Sequence, residues 1–308
     1  MLILSNDVTK YRRLKMIRKL IAMILAVLMA FSCMTVFAAE TGEGEWWNIL
    51  LLGADARNMT DYKGRTDTIM ILSINEELGE AKLTSIMRDT WVSIPGRKNN
   101  KINAANVFGG PELSVETVNT CFGMDIENYI LVNMSDLSDI VDLMGGVDVE
   151  VSASERRVAN DYIADAEANF TKERFEPYDY TRISGEGMLH LNGIQAMAYC
   201  RDRYTDSDFG RVMRGQEVML AMAKNAQNMT LEEIIPVAET AKTYVQTNLT
   251  DEQVKALATA IMTIDAETVE QYRIPADGAY KSGTFDGTWM IKADLEKNAQ
   301  LLKEFIYE

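Results

Sequence analysis

Residues 48–90 read NILLLGADARNMTDYKGRTDTIMILSINEELGEAKLTSIMRDT, and this stretch contains the first three predicted strands. The apolar runs at 48–52 and 66–75 are short and bounded by glycine or polar residues, which predicts two buried strands, the first ending at Gly53. The sequence EELGE then turns the chain into a third apolar run at 82–87. The second and third strands are therefore predicted to form a hairpin.

The rest of the chain alternates helical and strand patterns. Helices are predicted at 111–122, 135–144, 192–200, 209–229, 231–244, 251–264 (with Thr250 as N-cap) and 292–306, and strands at 128–133, 147–151 and 269–274. Residues 152–184 are polar and irregular, which predicts a long loop or lid. This order, with no internal repeat and no second boundary, predicts one three-layer α/β/α domain, residues 48–308, with a central mixed sheet.

The N-terminus predicts a membrane segment. Residues 20–39 carry no charge, and as a helix they would span about 30 Å, the thickness of the hydrocarbon core of a bilayer. The basic segment 1–19 and the acidic linker 40–47 predict a cytoplasmic N-terminus and an extracytoplasmic domain at the cell membrane. Small residues around 36–38 leave a cleaved signal peptide, and thus a secreted form, as the alternative, although retention as a single-pass transmembrane anchor is favoured.

Charge and composition exclude several functions. The net charge of the chain is −15, and six basic residues against one acidic residue in 1–19 leave −20 for the remainder, so duplex nucleic acid is not an expected partner. Beyond residue 39 only Cys121 and Cys200 remain, both in apolar runs, which predicts buried thiols and no disulfide framework. His190 is the single histidine, which excludes a histidine metal site and favours a structural or surface role.

Residues 201–216, RDRYTDSDFGRVMRGQ, concentrate Arg201, Arg203, Arg211 and Arg214 in this acidic chain. A guanidinium group stays charged at any working pH, and its planar fork binds two phosphate oxygens at once. A phosphate or pyrophosphate ligand is therefore predicted. The alternative is a solvated helix face with ion pairs, since Asp202, Asp206, Asp208 and Glu217 lie among the arginines.

Arginine and aspartate also recur at the ends of the first three predicted strands. The pairs are Asp55 with Arg57 in GADAR, Arg65 with Asp67 in GRTDT, and Arg88 with Asp89 in MRDT. Carboxylates from adjacent loops suit Mg²⁺, a hard cation that prefers few protein ligands plus phosphate oxygens. The pattern predicts a pyrophosphate held between Asp55, Asp67 and a metal on one side and arginines on the other. Spacing alone favours the alternative, in which both are turn or capping aspartates.

Seven blocks of this sequence resemble the LytR-CpsA-Psr family, in the order of that family. The blocks are NILLLGADAR, GRTDTIMILSIN, SIMRDTWVSIPG, KINAANVFGGPELSVETVN, DLMGGVDVEV, LNGIQAMAYCRDR and DFGRVMRGQ. The resemblance covers residues 48–229 closely. It implies a protein held on the membrane by one N-terminal helix that transfers a glycopolymer, such as a teichoic acid or capsular polymer, from a polyprenyl pyrophosphate carrier to peptidoglycan, with Mg²⁺ at the pyrophosphate.

The resemblance also implies roles for individual residues. It assigns Asp55 and Asp67 to the metal. The implied catalytic arginines are Arg65, Arg88, Arg203, Arg211 and Arg214, and the implied substrate-binding residues are Arg57, Asp89, Asp208 and Gln216. Thr66, Met87 and Gly215 depart from residues common in the family, but none of these changes removes a charged group.

The expected chemistry is attack of a sugar hydroxyl on the sugar-linked phosphorus of the pyrophosphate, which leaves a phosphodiester. The general base stays open among Asp202, Asp206 and Asp208. Methionines at 213, 219 and 222 would suit a lipid tunnel, although methionines at helical spacing favour ordinary core packing. Two other functions remain: a non-enzymatic surface protein that binds lipid-linked phosphate, and a pyrophosphatase that uses water in place of the sugar.

Overall fold

The computed structural model describes residues 45–55, 62–170, 178–202, 205 and 208–308. The predicted cytoplasmic segment (1–19), the predicted membrane span (20–39) and most of the predicted linker (40–47) lie outside these residues. Among the helices that are described, none combines the length and the apolar character needed to cross a bilayer. Retention or cleavage of the N-terminal segment therefore stays a prediction.

Strands and helices alternate along the described residues. The strands are β1 (Trp47–Asp55), β2 (Arg65–Asn75), β3 (Glu80–Ile86), β4 (Trp91–Val92), β5 (Asn100–Lys101), β6 (Asn128–Asn133), β7 (Val147–Val151), β8 (Gly187–Leu191), β9 (Gln246–Thr247), β10 (Glu270–Ile274), β11 (Tyr280–Phe285) and β12 (Thr288–Ala293). The α-helices are α1 (Ala105–Phe122), α2 (Met134–Leu143), α3 (Ala153–Asn169), α4 (Gly193–Cys200), α5 (Asp208–Gln227), α6 (Leu231–Lys242), α7 (Asp251–Thr263) and α8 (Leu295–Tyr307).

Within the described residues, the main sheet has six strands in the order β10-β3-β2-β1-β6-β9. Strands β1, β2 and β3 are antiparallel neighbours, which confirms the predicted β2–β3 hairpin. Strand β6 is parallel to β1, and β10 is parallel to β3, so the sheet is mixed as predicted. The two-stranded pairs β4–β5, β7–β8 and β11–β12 lie outside it.

Helices cover both faces of the main sheet. Successive residues of a strand point to opposite faces, so each buried strand contributes to two layers of core. On one face Leu50 and Ile71 belong to the same buried cluster as Phe122 of α1 and Leu302 of α8. On the other face Ile74 and its neighbours pack with Ala260 of α7 and with Ile264 just beyond it. This arrangement agrees with the predicted α/β class.

A second core lies beside the main sheet. Strands β7 and β8 and helices α3, α4 and α5 share one buried cluster, which includes Val149, Ile163, Met197 and Val218. The N-terminal part of α5 also reaches the main sheet, because the side-chain amide Nε2 of Gln216 donates to Ser85 Oγ at 2.9 Å. Helix α5 therefore connects the second core to the strands that carry the arginine and aspartate pairs.

The prediction of an irregular loop at 152–184 is wrong for its first half, because residues 153–169 form α3. The Ser152 side chain accepts from the backbone N–H of Glu155, and the Glu155 carboxylate accepts in return from the backbone N–H of Ser152, so a capping box starts the helix. Alanines and single aliphatic residues make the buried face of α3. Such a narrow apolar stripe is hard to recognise in a segment whose other residues are mostly polar.

The predicted helix 292–306 begins too early, because Lys292 and Ala293 lie in β12. The β11–β12 hairpin was not predicted; its residues are mostly exposed or half-buried, and its turn contains Asp286 and Gly287, both with positive φ. The predicted helix 111–122 starts at Ala105, with Gly109 and Gly110 non-helical before Pro111. Elsewhere the boundaries agree within about two residues, and Thr250 is the predicted N-cap of α7.

Candidate active site

Sheet topology brings the ends of three strands to one edge. Strand β1 ends at Asp55, which pairs with Arg65 at the start of β2. Strand β3 runs antiparallel to β2, so the residues after its end, Met87 to Asp89, lie at the same edge. The predicted proximity of the GADAR and GRTDT loops is thus confirmed for their backbone. We call this region the sheet-edge site.

A β-bulge lies at Asp67. Gly53 pairs with Thr68 and Ala54 pairs with Thr66, so Asp67 is the extra residue on β2. Bulges change the direction of a side chain and are common beside active sites. The Asp67 carboxylate is buried, with 6% of the side chain exposed.

Charged side chains form a continuous network at the sheet-edge site. Arg88 Nη1 lies 2.7 Å from Asp67 Oδ1, and Arg88 Nε lies 3.4 Å from Asp89 Oδ2. Lys101 Nζ lies 2.6 Å from the other Asp89 oxygen, Oδ1. Arg88 and Lys101 each keep about a fifth of the side chain exposed. Two cations thus remain accessible to an anionic ligand while their acidic partners are buried.

Two residues of this site, Lys101 and Asn103, were missed as individual residues, although both lie in the block KINAAN that carries the family resemblance. Arg65 Nη1 donates to Asn103 Oδ1 at 3.2 Å, and the backbone N–H of Asn103 donates to the Arg88 carbonyl at 3.3 Å. Asn103 therefore fixes both arginines relative to each other. The available signal was the presence of the polar residues Lys101 and Asn103 in the block KINAAN, which also contains Asn106.

Asn106 anchors the segment that leads into β2. Its side-chain amide donates to the carbonyl oxygens of Tyr62 and Gly64, at 2.7 and 2.8 Å. The Tyr62 hydroxyl donates to Asp136 Oδ2 at 2.7 Å. Burial, followed by the Asp136 hydrogen bond, raises the pKa of Tyr62 far above its ordinary value, so the hydroxyl stays a proton donor at neutral pH. The backbone just before Arg65 is thus tied to α1 and α2.

Arg214 occupies a different environment, at the corner between α3, α4 and α5. Only 2% of its side chain is exposed. Its Nη2 donates to the Asp202 carbonyl at 2.7 Å, and its Nη1 lies 3.2 Å from Glu155 Oε1. Its guanidinium carbon also lies 5.9 Å from the centre of the Tyr199 ring. We call this region the arginine corner. Contacts made here connect Arg214 to the start of α3 and to the segment that joins α4 to α5.

Neighbours of Arg214 are buried as well. The Tyr199 hydroxyl donates to Glu217 Oε2 at 2.6 Å, and burial followed by this hydrogen bond strongly raises the pKa of Tyr199. Asp202 is fully buried, and its carboxylate accepts from the backbone N–H and the hydroxyl of Thr205. Asp202 therefore holds the turn after α4, whereas its candidacy as general base stays a prediction.

Gln216 and Gly215 place α5 over the sheet edge. Gln216 is buried and bonds to Ser85, three residues before Arg88. A Cβ atom at Gly215 would lie 3.3 Å from the terminal methyl of Met70 on β2, so the helix approaches the sheet closely. The predicted substrate-binding role of Gln216 is not tested by this contact.

Several predicted site residues lie at the limits of what the structure describes. Arg57, Arg203 and Asp206 are outside the described residues. For Asp55, Asp208 and Arg211 the backbone is described, at the end of β1 and the start of α5, and the side chains are not. Convergence of all the arginines on one ligand therefore stays a prediction.

The donor atoms at the sheet edge fit a hard cation. Among the described residues, no group of three or more His, Cys, Asp or Glu side chains could hold a metal ion. Mg²⁺ typically uses one or two carboxylates and takes its other ligands from water and phosphate, so Asp67 with one further carboxylate suffices. The buried hydroxyl of Thr66, next to Asp67, has no hydrogen-bond partner within the described part of the chain and adds an unused neutral oxygen to the same strand end.

The two described cysteines are free thiols, as predicted. Burial raises the pKa of the Cys121 thiol to about 11. Cys200 is partly exposed, yet desolvation raises the pKa of its thiol to about 12.

His190 is on the surface, with Nδ1 2.7 Å from Asp148 Oδ1 and Nε2 2.9 Å from the Gly145 carbonyl, so the predicted surface role is confirmed.

Comparison with known proteins identifies relatives of this chain. The family model described as LytR_cpsA_psr matches residues 34–305. A relative from Bacillus mycoides (strain KBAB4), named polyisoprenyl-teichoic acid–peptidoglycan teichoic acid transferase TagU, is 36% identical over 258 residues, which are 82% of this chain and 76% of the relative. A protein of the same name from Bacillus cereus (strain AH820) is 37% identical over 254 residues, with coverage of 81% and 75%.

Solved structures share the fold. The crystal structure of B. subtilis TagV matches with a TM-score of 0.67 and 27% identity, covering 86% of this chain and 98% of TagV. A structure of TagT bound to LIIa-WTA matches with a TM-score of 0.67 and 23% identity, covering 88% of this chain and 93% of TagT. The described core thus has the same architecture as these proteins.

Proposed function

The chain belongs to the LytR-CpsA-Psr family, and we propose that it is a phosphotransferase that moves a glycopolymer from a polyprenyl pyrophosphate carrier to peptidoglycan. The names of its relatives, which are teichoic acid transferases, support this class of reaction. The proposed location is the outer side of the cell membrane, with residues 20–39 as the anchor, because the basic segment 1–19 precedes an uncharged stretch.

The ion-pair network of the sheet-edge site carries the proposal. Arg88 lies between two acidic residues, and Lys101 adds a second cation at the far carboxylate oxygen. Buried acidic partners keep both cations in place, so little reorganisation is needed when a charged ligand arrives. A pyrophosphate carries several negative oxygens at the spacing that an arginine fork binds. Because the net charge is −15, the rest of the chain repels anions. An anionic ligand should therefore bind only at such a cationic group.

The reaction needs positioning and charge neutralisation more than a covalent intermediate. A hydroxyl oxygen of the acceptor glycan forms a bond to the sugar-linked phosphorus. The bond from that phosphorus to the bridging oxygen breaks, and polyprenyl phosphate leaves. The hydroxyl proton passes to a base for which Asp202, Asp206 and Asp208 are the candidates. Arg65 and Arg88 stabilise the negative charge that develops on the phosphate oxygens.

Asp67 and Asp55 are the residues that would hold Mg²⁺. When bound, this ion would neutralise part of the pyrophosphate charge. The ion pair between Asp67 and Arg88 would then also hold the Arg88 guanidinium at a fixed position beside the metal-binding carboxylate of Asp67. Arg203 and Arg211 complete the proposed cationic side of the site.

Arg214 contributes as a positioning residue. Its bonds to Asp202 and Glu155 hold the segment between α4 and α5, which contains Arg203. Truncation of Arg214 would therefore move other arginines, although Arg214 itself is almost inaccessible to a ligand.

A transfer assay with the purified full-length chain tests the proposal. The chain is incubated in detergent with a polyprenyl pyrophosphate-linked disaccharide, Mg²⁺ and soluble peptidoglycan fragments, and the products are followed by mass spectrometry. We expect disaccharide phosphate attached to the peptidoglycan fragment. Asp67→Asn should reduce this product about 100-fold or more, because it removes the charge that orients Arg88 and would bind the cation.

Asp148→Asn is the matched control, since Asp148 is an exposed aspartate that pairs with the surface residue His190. It should leave the transfer rate within about twofold of the unmodified chain. Free disaccharide phosphate as the sole product would replace the proposal with hydrolysis. Donor binding without any product would replace it with a non-enzymatic surface role.

A further inference from the structure

An exposed tryptophan lies next to the sheet-edge site. Trp289 on β12 is 43% exposed, and Lys101 Nζ lies 5.8 Å from the centre of its ring. Lys101 is the residue whose ammonium group pairs with Asp89, the neighbour of Arg88. A path of direct contacts therefore connects the indole ring to the arginine proposed to bind phosphate.

The hairpin that carries Trp289 is fixed to the site itself. The backbone N–H of Ile291 donates to the Asp89 carbonyl at 3.0 Å, and Thr90 forms a parallel β-bridge with Ile291. Met290 and Ile291 are buried, while Trp289, one residue earlier, is not. The hairpin thus presents the ring from a rigid strand, at a defined distance from Asp89.

The combination of these two side chains has the chemistry of a sugar-binding subsite. A pyranose ring has an apolar face of C–H groups and an edge of hydroxyl groups. An indole ring packs against the apolar face, and an ammonium group supplies donors to hydroxyl oxygens.

We propose that Trp289 and Lys101 form a subsite for a pyranose ring beside the phosphate-binding arginines. The inference rests on the proposed function, which requires that a sugar lie next to the reacting phosphorus. Two sugars satisfy this requirement: the first sugar of the donor and the acceptor sugar of peptidoglycan. Their shared chemistry is the pyranose ring, and the binding experiment separates them.

The donor arm compares two probes by isothermal titration calorimetry with the full-length chain and Mg²⁺. One probe is farnesyl pyrophosphate, and the other is farnesyl pyrophosphate linked to an N-acetylhexosamine. The ratio of their dissociation constants measures the gain in affinity that the sugar provides. If the subsite holds the donor sugar, Trp289→Ala should reduce this gain about 3- to 10-fold, the size of one aromatic stacking contact, and leave farnesyl pyrophosphate binding unchanged.

The acceptor arm uses a soluble peptidoglycan tetrasaccharide as the probe. If the subsite holds the acceptor sugar, Trp289→Ala should weaken tetrasaccharide binding by the same factor and leave the donor ratio unchanged. Trp289→Phe keeps an aromatic ring and should retain most of the binding in whichever arm responds. Leu78→Ala is the surface control, because Leu78 is also exposed but lies in the β2–β3 turn, at the opposite end of these strands from Arg88.

The outcomes separate the two proposals. A response to Trp289→Ala in either arm supports the subsite and identifies its sugar. Unchanged binding in both arms, with farnesyl pyrophosphate still bound, overturns the subsite and leaves the proposed function intact. Failure of the unmodified chain to bind farnesyl pyrophosphate would overturn the proposed function and the subsite together. Thermal unfolding of Trp289→Ala and Trp289→Phe should match that of the unmodified chain, which excludes a folding defect as the cause.

Discussion

Arg88 and Arg214 belong to the same predicted cluster, yet they lie in opposite environments. Arg88, at the sheet-edge site, keeps 19% of its side chain exposed and pairs with two aspartates. Arg214, at the arginine corner, is 2% exposed and bonds to a backbone carbonyl and to Glu155. The two guanidinium groups therefore have different structural roles. Arg88 remains accessible to a charged ligand, whereas Arg214 holds together α3, α5 and the segment between α4 and α5.

The largest effect is expected for Arg214→Ala. The substitution removes a buried partner from Glu155 and from the Asp202 carbonyl, so the free energy of unfolding should fall by about 3–5 kcal/mol. Urea denaturation measures this loss. Arg182→Ala is the matched control, since both Arg182 and its partner Glu167 are exposed and the substitution should cost at most about 1 kcal/mol. A stable but inactive Arg214→Ala variant would break the comparison, because Arg214 would then act on the ligand directly.

Arg88→Ala should act mainly on catalysis. Loss of one preorganised charged donor lowers kcat by about 10²–10³-fold, the equivalent of roughly 3–4 kcal/mol in the transition state. The transfer assay measures this decrease. Arg88→Lys tests the role of the guanidinium fork. It keeps a positive charge beside Asp67 and should preserve the free energy of unfolding. It lacks the planar fork, so its transfer rate should remain well below that of the unmodified chain. Full activity of Arg88→Lys would exclude two-point recognition of phosphate by Arg88.

The smallest effect is expected where α5 connects the two regions. Gln216→Ala and Ser85→Ala each break the buried hydrogen bond between helix and sheet, so each should reduce the free energy of unfolding by about 1–3 kcal/mol. The double variant should lose less than the sum, because both substitutions remove the same bond. Additive losses in urea denaturation would show that the two residues are energetically independent. The link between α5 and the sheet would then rest on the packing around Met70.

Much of the fold was predictable because its signals are local. Strands β1 to β3 are apolar runs with turn residues between them, and the N-cap at Thr250 lies within four residues of the group that it caps. Helix α3 was missed because alanines make its buried face, although Ser152 and Glu155 carry a capping signal. The β11–β12 hairpin was missed because its strands bury too little apolar surface to produce a period-two pattern.

The candidate site was predictable only in part. Strand ends that carry arginine with aspartate indicate Asp67 and Arg88 from the sequence alone, and the ion pair between these two residues confirms that they lie close together. Lys101 and Asn103 were not identified, because their contacts with Asp89 and Arg65 depend on where β5 pairs with β4. Trp289 was not identified either, since it is nearly two hundred residues away along the chain from Lys101, the basic residue beside its ring.

The sequence alone identified the family, through seven blocks in the family's order, and the mixed α/β class, because strand periodicity and helix caps are properties of short segments. The binding of phosphate and Mg²⁺ by the arginine and aspartate pairs stays a prediction. The three-dimensional structure was needed to show that Arg214 is buried while Arg88 is accessible, that Asp67 lies on a bulge, and that Trp289 adjoins Lys101. The physical reason is that exposure and charge pairing depend on which distant segments pack together. An arginine in the sequence has a fixed charge, but the fold determines whether that charge faces a ligand or a neighbouring helix.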